Sequence, residues 1–341
     1  MKSRKRFFKM GQGTCPLVPQ GTLVPIFIIV LVVSVILTFY FFKETIHIET
    51  PMGNNQIAER NDKHFVLIIQ ELENPYLQDL YAGAKAAAGE NDVTIEYWGT
   101  AQTNVDDLIK LIEMAIASKV DGILTQGLTQ EFEPVINKAV ERGIPVIFVD
   151  SDLENNDEWT YVGTDNYQAG YEMGLTVLDE TSGKTKVGIL NGNLININLE
   201  ERVQGFLDAI STDNRMEVVA VESSNLSKIQ GAEKTYQMLK NHPDISILYG
   251  TSALDSFGIV EGIKKAKPSS NIRVYAFDVF EETFDLLKSG EIHTALKQEP
   301  YQMGYTGVNL LIDLGQGKAI EKNIYTPITL LTKEDVENDK D

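Results

Sequence analysis

Phe65-Val-Leu-Ile-Ile69 is followed by Gln70-Glu-Leu-Glu-Asn-Pro-Tyr76 and then by an apolar stripe at Leu77, Leu80, Tyr81, Ala84 and Ala88. An apolar run without alternation is a strand buried on both faces, and a stripe recurring every three to four residues is one side of a helix. The same unit recurs downstream. Val93-Thr-Ile-Glu-Tyr97 precedes a helix capped by Asn104 or Thr103, with Val105, Leu108, Ile109, Ile112 and Ile116 on one face. Gly122-Ile-Leu-Thr125 precedes a helix carrying Phe132, Val135, Ile136, Ala139 and Val140, which Gly143 stops, and Pro145-Val-Ile-Phe-Val149 closes the set.

After Tyr161-Val-Gly163 the pattern restarts, with strands expected at Lys186 to Leu190, Glu217 to Val221, Ser246 to Tyr249, Val274 to Phe277 and Thr294 to Lys297. The helices between them are expected near 166–180, 200–212, 228–241, 253–266 and 281–289. A helix near 301–315 and one strand from Tyr325 to Leu331 end the fold. Buried strands alternating with helices mean parallel sheets with right-handed crossovers, so the fold class is α/β, in two doubly wound lobes.

Ahead of this region lies a different kind of sequence. Residues 1–24 hold Lys2, Arg4, Lys5, Arg6 and Lys9 and no acid, so of the net charge of −19 the rest of the chain carries −24. Leu23 to Phe42 is apolar and uncharged up to Lys43, long enough at 1.5 Å per residue for a hydrocarbon core of about 30 Å. With the basic side cytoplasmic, everything after Lys43 is expected outside the cell. The run is longer than the core of a secretory signal, ends in Phe-Phe-Lys-Glu-Thr rather than small residues, and has its only cysteine, Cys15, before rather than after it. A retained anchor is therefore expected: a basic tail at 1–22, a transmembrane helix at 23–42 and a stalk at 43–63.

Composition narrows the function. One cysteine makes no internal disulfide, and His47, His64, His242 and His293 share no metal-ligand spacing, so neither a metal nor a cofactor is expected. The acidic balance argues against a nucleic-acid partner. No strand is followed by Gly-x-Gly-x-x-Gly, and neither Gly-x-Ser-x-Gly nor a Walker loop occurs, so no enzyme is expected.

In open parallel sheets, ligands bind beyond the carboxyl ends of the strands. Those ends offer Glu71, Asn74 and Tyr76, then Gln126, Asp150 and Asp165, and in the second set Asn191, Glu222, Ser252, Asp278 and Gln298. These are acceptors and amides without arginine or lysine, which suits a neutral, hydroxyl-rich ligand. An aspartate at a strand end also serves as a helix cap, and Asn74-Pro75 is a natural helix start, so the set rather than any member carries the reading.

Glu73-Asn-Pro-Tyr76, Asp121-Gly-Ile-Leu124, Gly143-Ile-Pro-Val-Ile-Phe-Val-Asp150, Val162-Gly-Thr-Asp-Asn166, Glu201-Arg-Val-Gln-Gly-Phe206, Ala276-Phe-Asp278 and Lys297-Gln-Glu-Pro300 stand in this order. The series resembles the periplasmic binding proteins of the ribose and galactose type over about 64 to 332. The resemblance implies two lobes joined by a three-strand hinge, 64–164 with 299–326 and 165–298 with 327–341, closing on a monosaccharide. It implies sugar contacts from Asn74, Tyr76, Asp150, Asp165, Ser252, Asp278 and Gln298. Departures from the pattern are Ser151 and Glu200 where ribose binders carry arginines, and Leu77 and Leu226 where they carry stacking aromatics. Arg202 matches a structural arginine. The expected function is a monomeric, membrane-anchored extracytoplasmic receptor that closes on a neutral monosaccharide and signals to a membrane sensor histidine kinase; the alternative is the binding component of a sugar ABC importer with a permease partner.

Overall fold

The computed structural model describes residues 31–34, 37, 63–192, 196–266 and 271–338. Residues 31–34 and 37 are helical. The rest of the expected tail, span and stalk, up to residue 62, lies outside the described residues. Among the described residues no helix is long and apolar enough to cross a membrane.

From Asn61 onward the chain forms one compact unit. The first lobe begins with β1 (His64–Ile69), α1 (Pro75–Glu90), β2 (Thr94–Gly99), α2 (Val105–Ser118), β3 (Gly122–Thr125), α3 (Glu133–Glu141), β4 (Val146–Val149) and β5 (Thr160–Gly163). The second lobe holds α4 (Asn166–Glu180), β6 (Thr185–Asn191), α5 (Ile197–Ile210), β7 (Met216–Ser223), α6 (Lys228–Asn241) and β8 (Ile245–Gly250). It continues with α7 (Ala253–Ala266), β9 (Arg273–Phe277), α8 (Glu281–Ser289) and β10 (Thr294–Lys297). The chain then returns to the first lobe with α9 (Pro300–Gly315) and β11 (Asn323–Tyr325), and ends on the second with β12 (Thr329–Thr332) and α10 (Lys333–Asn338).

Two six-stranded sheets result, ordered β11-β5-β4-β3-β1-β2 and β12-β10-β9-β8-β6-β7. The central run Phe65–Ile69 is wholly excluded from solvent and feeds two cores. Phe65, Leu67 and Ile69 pack with α1 and α9, whereas Val66 and Ile68 pack with α2 and α3, as alternation across a strand requires. The second sheet does the same. Val187, Ile189, Tyr249 and Phe277 face α4 and α5, and Leu190, Leu248, Val274 and Ala276 face α6, α7 and α8.

The expected strand from Tyr325 to Leu331 is in fact two strands in two sheets. Thr326 N–H makes the last bond to the first sheet, donating to the Gly163 carbonyl at 2.8 Å, and after Pro327 the chain crosses to the other lobe. There β12 pairs antiparallel with β10, so the second sheet is mixed rather than purely parallel. The cause is direction. The parallel strands of both sheets end at the cleft, and a segment entering the second sheet from the cleft must run the other way. α5 begins three residues earlier than expected, at Ile197. α10, unforeseen in the sequence, buries Val336 against the α8 side of the second core, with Asp335 accepting from Thr332 N–H at 2.8 Å.

Helices on the outer faces touch backbone to backbone at glycines. A Cβ on Gly83 of α1 would lie 1.8 Å from the Tyr301 carbonyl oxygen of α9, and one on Gly304 would lie 1.9 Å from that of Leu80. The second lobe repeats the device, with Gly170 of α4 against the Arg202 carbonyl at 2.1 Å and Gly205 of α5 against that of Tyr167 at 2.0 Å. Gly83→Ala and Gly304→Ala should each cost about 1–3 kcal/mol by overpacking. Gly89→Ala, also in α1 but with nothing within 4 Å, should stabilise by up to about 1 kcal/mol. Urea unfolding of the three variants measures both effects.

Candidate functional site

The first sheet changes winding direction at β1 and the second at β6, which opens a crevice at the carboxyl ends of β1 and β3, and of β6 and β8. The same kind of polar stitch spans each crevice. Gln126, after β3, accepts from Gln70 N–H at 3.0 Å, and Thr251, after β8, donates to Asn191 Oδ1 at 3.2 Å.

Asp150 directly follows β4, and Asp278 directly follows β9. Each adopts left-handed backbone, with φ of 68° and 67°. Aspartate is among the few residues with a side chain that accept this conformation, and strained backbone of this sort gathers at functional sites. Asp150 accepts from Tyr76 Oη at 2.8 Å on Oδ1 and from Gln126 Nε2 at 2.7 Å on Oδ2. Asp278 accepts from Gln298 Nε2 and from the backbone N–H of Ala253 at the start of α7. Gln298 Oε1 in turn accepts from Thr164 Oγ1 at 2.6 Å, at the first crossing between lobes.

These two groups face one another. Burial raises the Asp278 carboxyl; the Arg202 guanidinium and the Gln298 amide pull it down, and Asp150 pushes it up again. Burial, then Asp150 and Asp278, hold the Tyr76 phenol well above its ordinary range, so its hydroxyl remains a donor at any physiological pH. Between Tyr76 of α1 and Asp278, Phe280 and Gln298 lies a cavity of about 150 Å³. Lys297 borders this cavity but is paired with Glu299 at 3.0 Å. Arg202 is buried beneath the second lobe's edge, its guanidinium 3.6 Å over the Phe277 ring, with Nε donating to Asn166 Oδ1 and Nη1 to the Thr251 carbonyl, both at 2.9 Å. Its charge is engaged by the protein. What the cleft presents is two carboxylates held by neutral donors, an arrangement that can accept from hydroxyl groups.

The other expected residues stand at the edges of this arrangement. Asn74 caps α1, accepting from Tyr76 N–H at 3.0 Å, and its amide donates to Glu71 at 3.3 Å. Asp165 caps α4 through Gln168 N–H at 2.9 Å. Ser252 adjoins Ala253 but gives its hydroxyl to Asp255 at 2.7 Å. The structure therefore brings Tyr76, Asp150, Asp278 and Gln298 together, and leaves Asn74, Asp165 and Ser252 occupied with local bonds. Trp159 lies edge-on to Phe148, and the Tyr161 hydroxyl donates to the carbonyls of Asp150 and Thr164 at 3.0 Å each, so both pack rather than face the cleft. Gln126 was visible in the sequence only as a strand-end residue and Thr164 only as part of the Val162–Asn166 motif; Asn198 gave no sequence signal, because its partners are remote in the chain.

A second cavity, of about 430 Å³, lies beside β5 and is lined by Asp152, Asp165, Glu201, Asn156, Asn198 and Tyr325, among others. Burial pushes the Asp152 carboxyl up to about 6. Burial, followed by Asp165 and Asp152, also raises Glu201. In the second lobe Asp255 is fully buried, accepting from the hydroxyls of Ser224, Ser252 and Thr251, and burial pushes it too up to about 6. A carboxyl whose folded value exceeds its ordinary 3.8 binds its proton more firmly in the fold, so its contribution to stability is lost as pH rises from about 4 to about 6. The double variant Asp152→Asn/Asp255→Asn should therefore gain stability relative to the native chain across that interval. Urea midpoints at several pH values test this, and a constant gap would show that neither carboxyl is shifted.

A family model described as a periplasmic binding protein domain matches residues 65–319. The ribose import binding protein RbsB of Bacillus subtilis is 25% identical over 311 residues, covering 88% of this chain and 98% of that protein. Among solved structures, GanP, a glucose-galactose binding protein from Geobacillus stearothermophilus, is 40% identical with a TM-score of 0.76, covering 80% of this chain and 98% of its own. A chain of the XylFII–LytSN complex is 30% identical with a TM-score of 0.72, covering 80% of this chain and 99% of its own.

Proposed function

Since the chain belongs to the periplasmic binding protein domain family, we propose that it is an extracytoplasmic receptor whose lobes close on a neutral monosaccharide. The observation that carries this reading is the pair Asp150 and Asp278. They emerge from corresponding strand ends of the two lobes in the same left-handed turn, with neutral donors around them and the nearest guanidinium already bound to protein groups. Such a site accepts from vicinal hydroxyls and offers an anion no free cation. The relatives that bind ribose or glucose and galactose support the ligand class. In this reading Tyr76 and Gln298 orient the two acids, Asn74 and Ser252 complete the walls, and Asp165 stands at the hinge side.

The anchor and the partner belong to the same proposal. The basic tail and the apolar stretch 23–42 hold the receptor at the cell membrane with its lobes outside. We place its closed form against a membrane sensor histidine kinase, because a protein anchor keeps a receptor beside one membrane partner at high effective concentration. Likeness to a chain of the XylFII–LytSN complex supports assembly with another protein. The second reading, the binding component of a sugar ABC importer, draws on the relative named for ribose import. Deleting the gene separates them. Loss of sugar-induced transcription with uptake intact fits the sensor; loss of uptake fits the importer.

Calorimetry of the fragment 61–341 against pentoses, hexoses and inositols should find a neutral sugar that binds, and no heat with any of them would refute the ligand class. Asp150→Ala and Asp278→Ala should each weaken that binding by at least about 1.5 kcal/mol, the scale of hydrogen bonds to a charged acceptor. Unchanged affinity in both would reduce the two acids to turn residues. N-terminal sequencing of the mature membrane protein should show that cleavage has not occurred after Phe42.

A further inference from the structure

Asn198 lies in the first turn of α5 in the second lobe, yet both hydrogen atoms of its amide are spent on the first lobe. Nδ2 donates to the Asp150 carbonyl at 3.0 Å and to Ser151 Oγ at 3.1 Å. The side chain is nearly excluded from solvent. The Ser151 hydroxyl passes the contact on, donating to Asp150 Oδ2 at 3.2 Å. A chain of hydrogen bonds thus runs from α5 through Ser151 into the carboxylate that Tyr76 and Gln126 also hold.

We infer that Asn198 is a clasp that draws the empty lobes together and couples their closure to the state of Asp150. The contact needs no ligand, because both its ends are protein groups. It differs in kind from the Thr164–Gln298 bond, which lies at the crossings themselves and has little distance to travel when the lobes turn. An apparent affinity scales with the fraction of molecules already in the binding-competent arrangement, so a clasp of this sort raises affinity without touching the sugar. Asn198 is a positioning residue in this scheme. Its neighbour must be small and hydroxylic: Ser151 is short enough for the amide to reach the Asp150 carbonyl behind it, and it supplies the relay.

The clasp itself is independent of the sugar-receptor reading, and only the affinity arm of its test rests on that reading. Small-angle scattering of the ligand-free fragment 61–341, the compact unit described above, should show a larger radius of gyration for Asn198→Ala than for the native sequence. Asn198→Asp, which sets a carboxylate against the Asp150 carbonyl, should increase it at least as much. Ser151→Ala keeps one of the two bonds and should fall between. Where a sugar is found, Asn198→Ala should raise its Kd by about three- to tenfold, the range for losing one or two hydrogen bonds. The order of preference among sugars and the radius of the bound form should not change. Circular dichroism and thermal melting identify any variant that fails to fold, and Ser151→Ala, which deletes only a hydroxyl, then carries the test. An unchanged radius in the folded, empty variants overturns the clasp even if the sugar binds; a changed radius with no sugar found upholds the clasp and refutes the receptor reading alone.

Discussion

The reciprocal glycine contact between α1 and α9 is the constraint on which the two-lobed arrangement depends. α9 follows a strand of the second sheet but belongs to the first lobe, and Gly83 and Gly304 let its backbone lie directly against that of α1. Two side-chain-free surfaces bring the helices closer than ordinary ridge-and-groove packing allows. The chain must therefore return across the cleft at a fixed place, and Gln298, just before Pro300, is carried with it. Its amide then reaches Asp278 while its carbonyl oxygen meets Thr164. The contact on the outer face of the lobe thus helps set the position of a polar group in the cleft.

Within the cleft, geometry outranks charge. The molecule is strongly acidic, yet most of that acid lies on helix faces and in surface pairs, which contribute little individually. Asp150 and Asp278 differ because they are fixed by turns and by several donors each, so that their oxygens are oriented before any ligand arrives. The one buried arginine nearby stacks on Phe277 and binds a carbonyl and an amide, which lets it moderate the field at Asp278 without opposing a ligand.

Much of this was legible in the sequence, for identifiable reasons. The run Phe65–Ile69 could only be a doubly buried strand, Asn104 and Asn74 were readable as caps, and polar residues at strand ends marked the edge where the site lies. The split of Tyr325–Leu331 was hidden because apolar residues stand on both sides of Pro327, and a crossing between two sheets is a property of three dimensions rather than of the run. The antiparallel β12 was hidden for a related reason: direction within a sheet depends on where the chain enters it. The role of Thr164, and Asn198 altogether, could not be found, since an amide or a hydroxyl becomes significant only when a partner far away in the chain is brought to it. Asn74, Asp165 and Ser252 show the converse, residues whose type and place invite a ligand role while the fold gives them local bonds.

The left-handed turns at Asp150 and Asp278 also limit how this receptor can diversify. An ordinary side chain in that backbone costs roughly 1–2 kcal/mol, and a β-branched one more, whereas only Asp, Asn and Gly enter it readily. Asn would exchange an acceptor for a donor, and Gly would remove the group altogether. A lineage exploring new ligands therefore keeps these two anchors and varies what surrounds them, at positions such as Glu200, where the backbone is helical and sets no comparable toll on most side chains. The cleft is thus conservative at its two poles and free around its circumference.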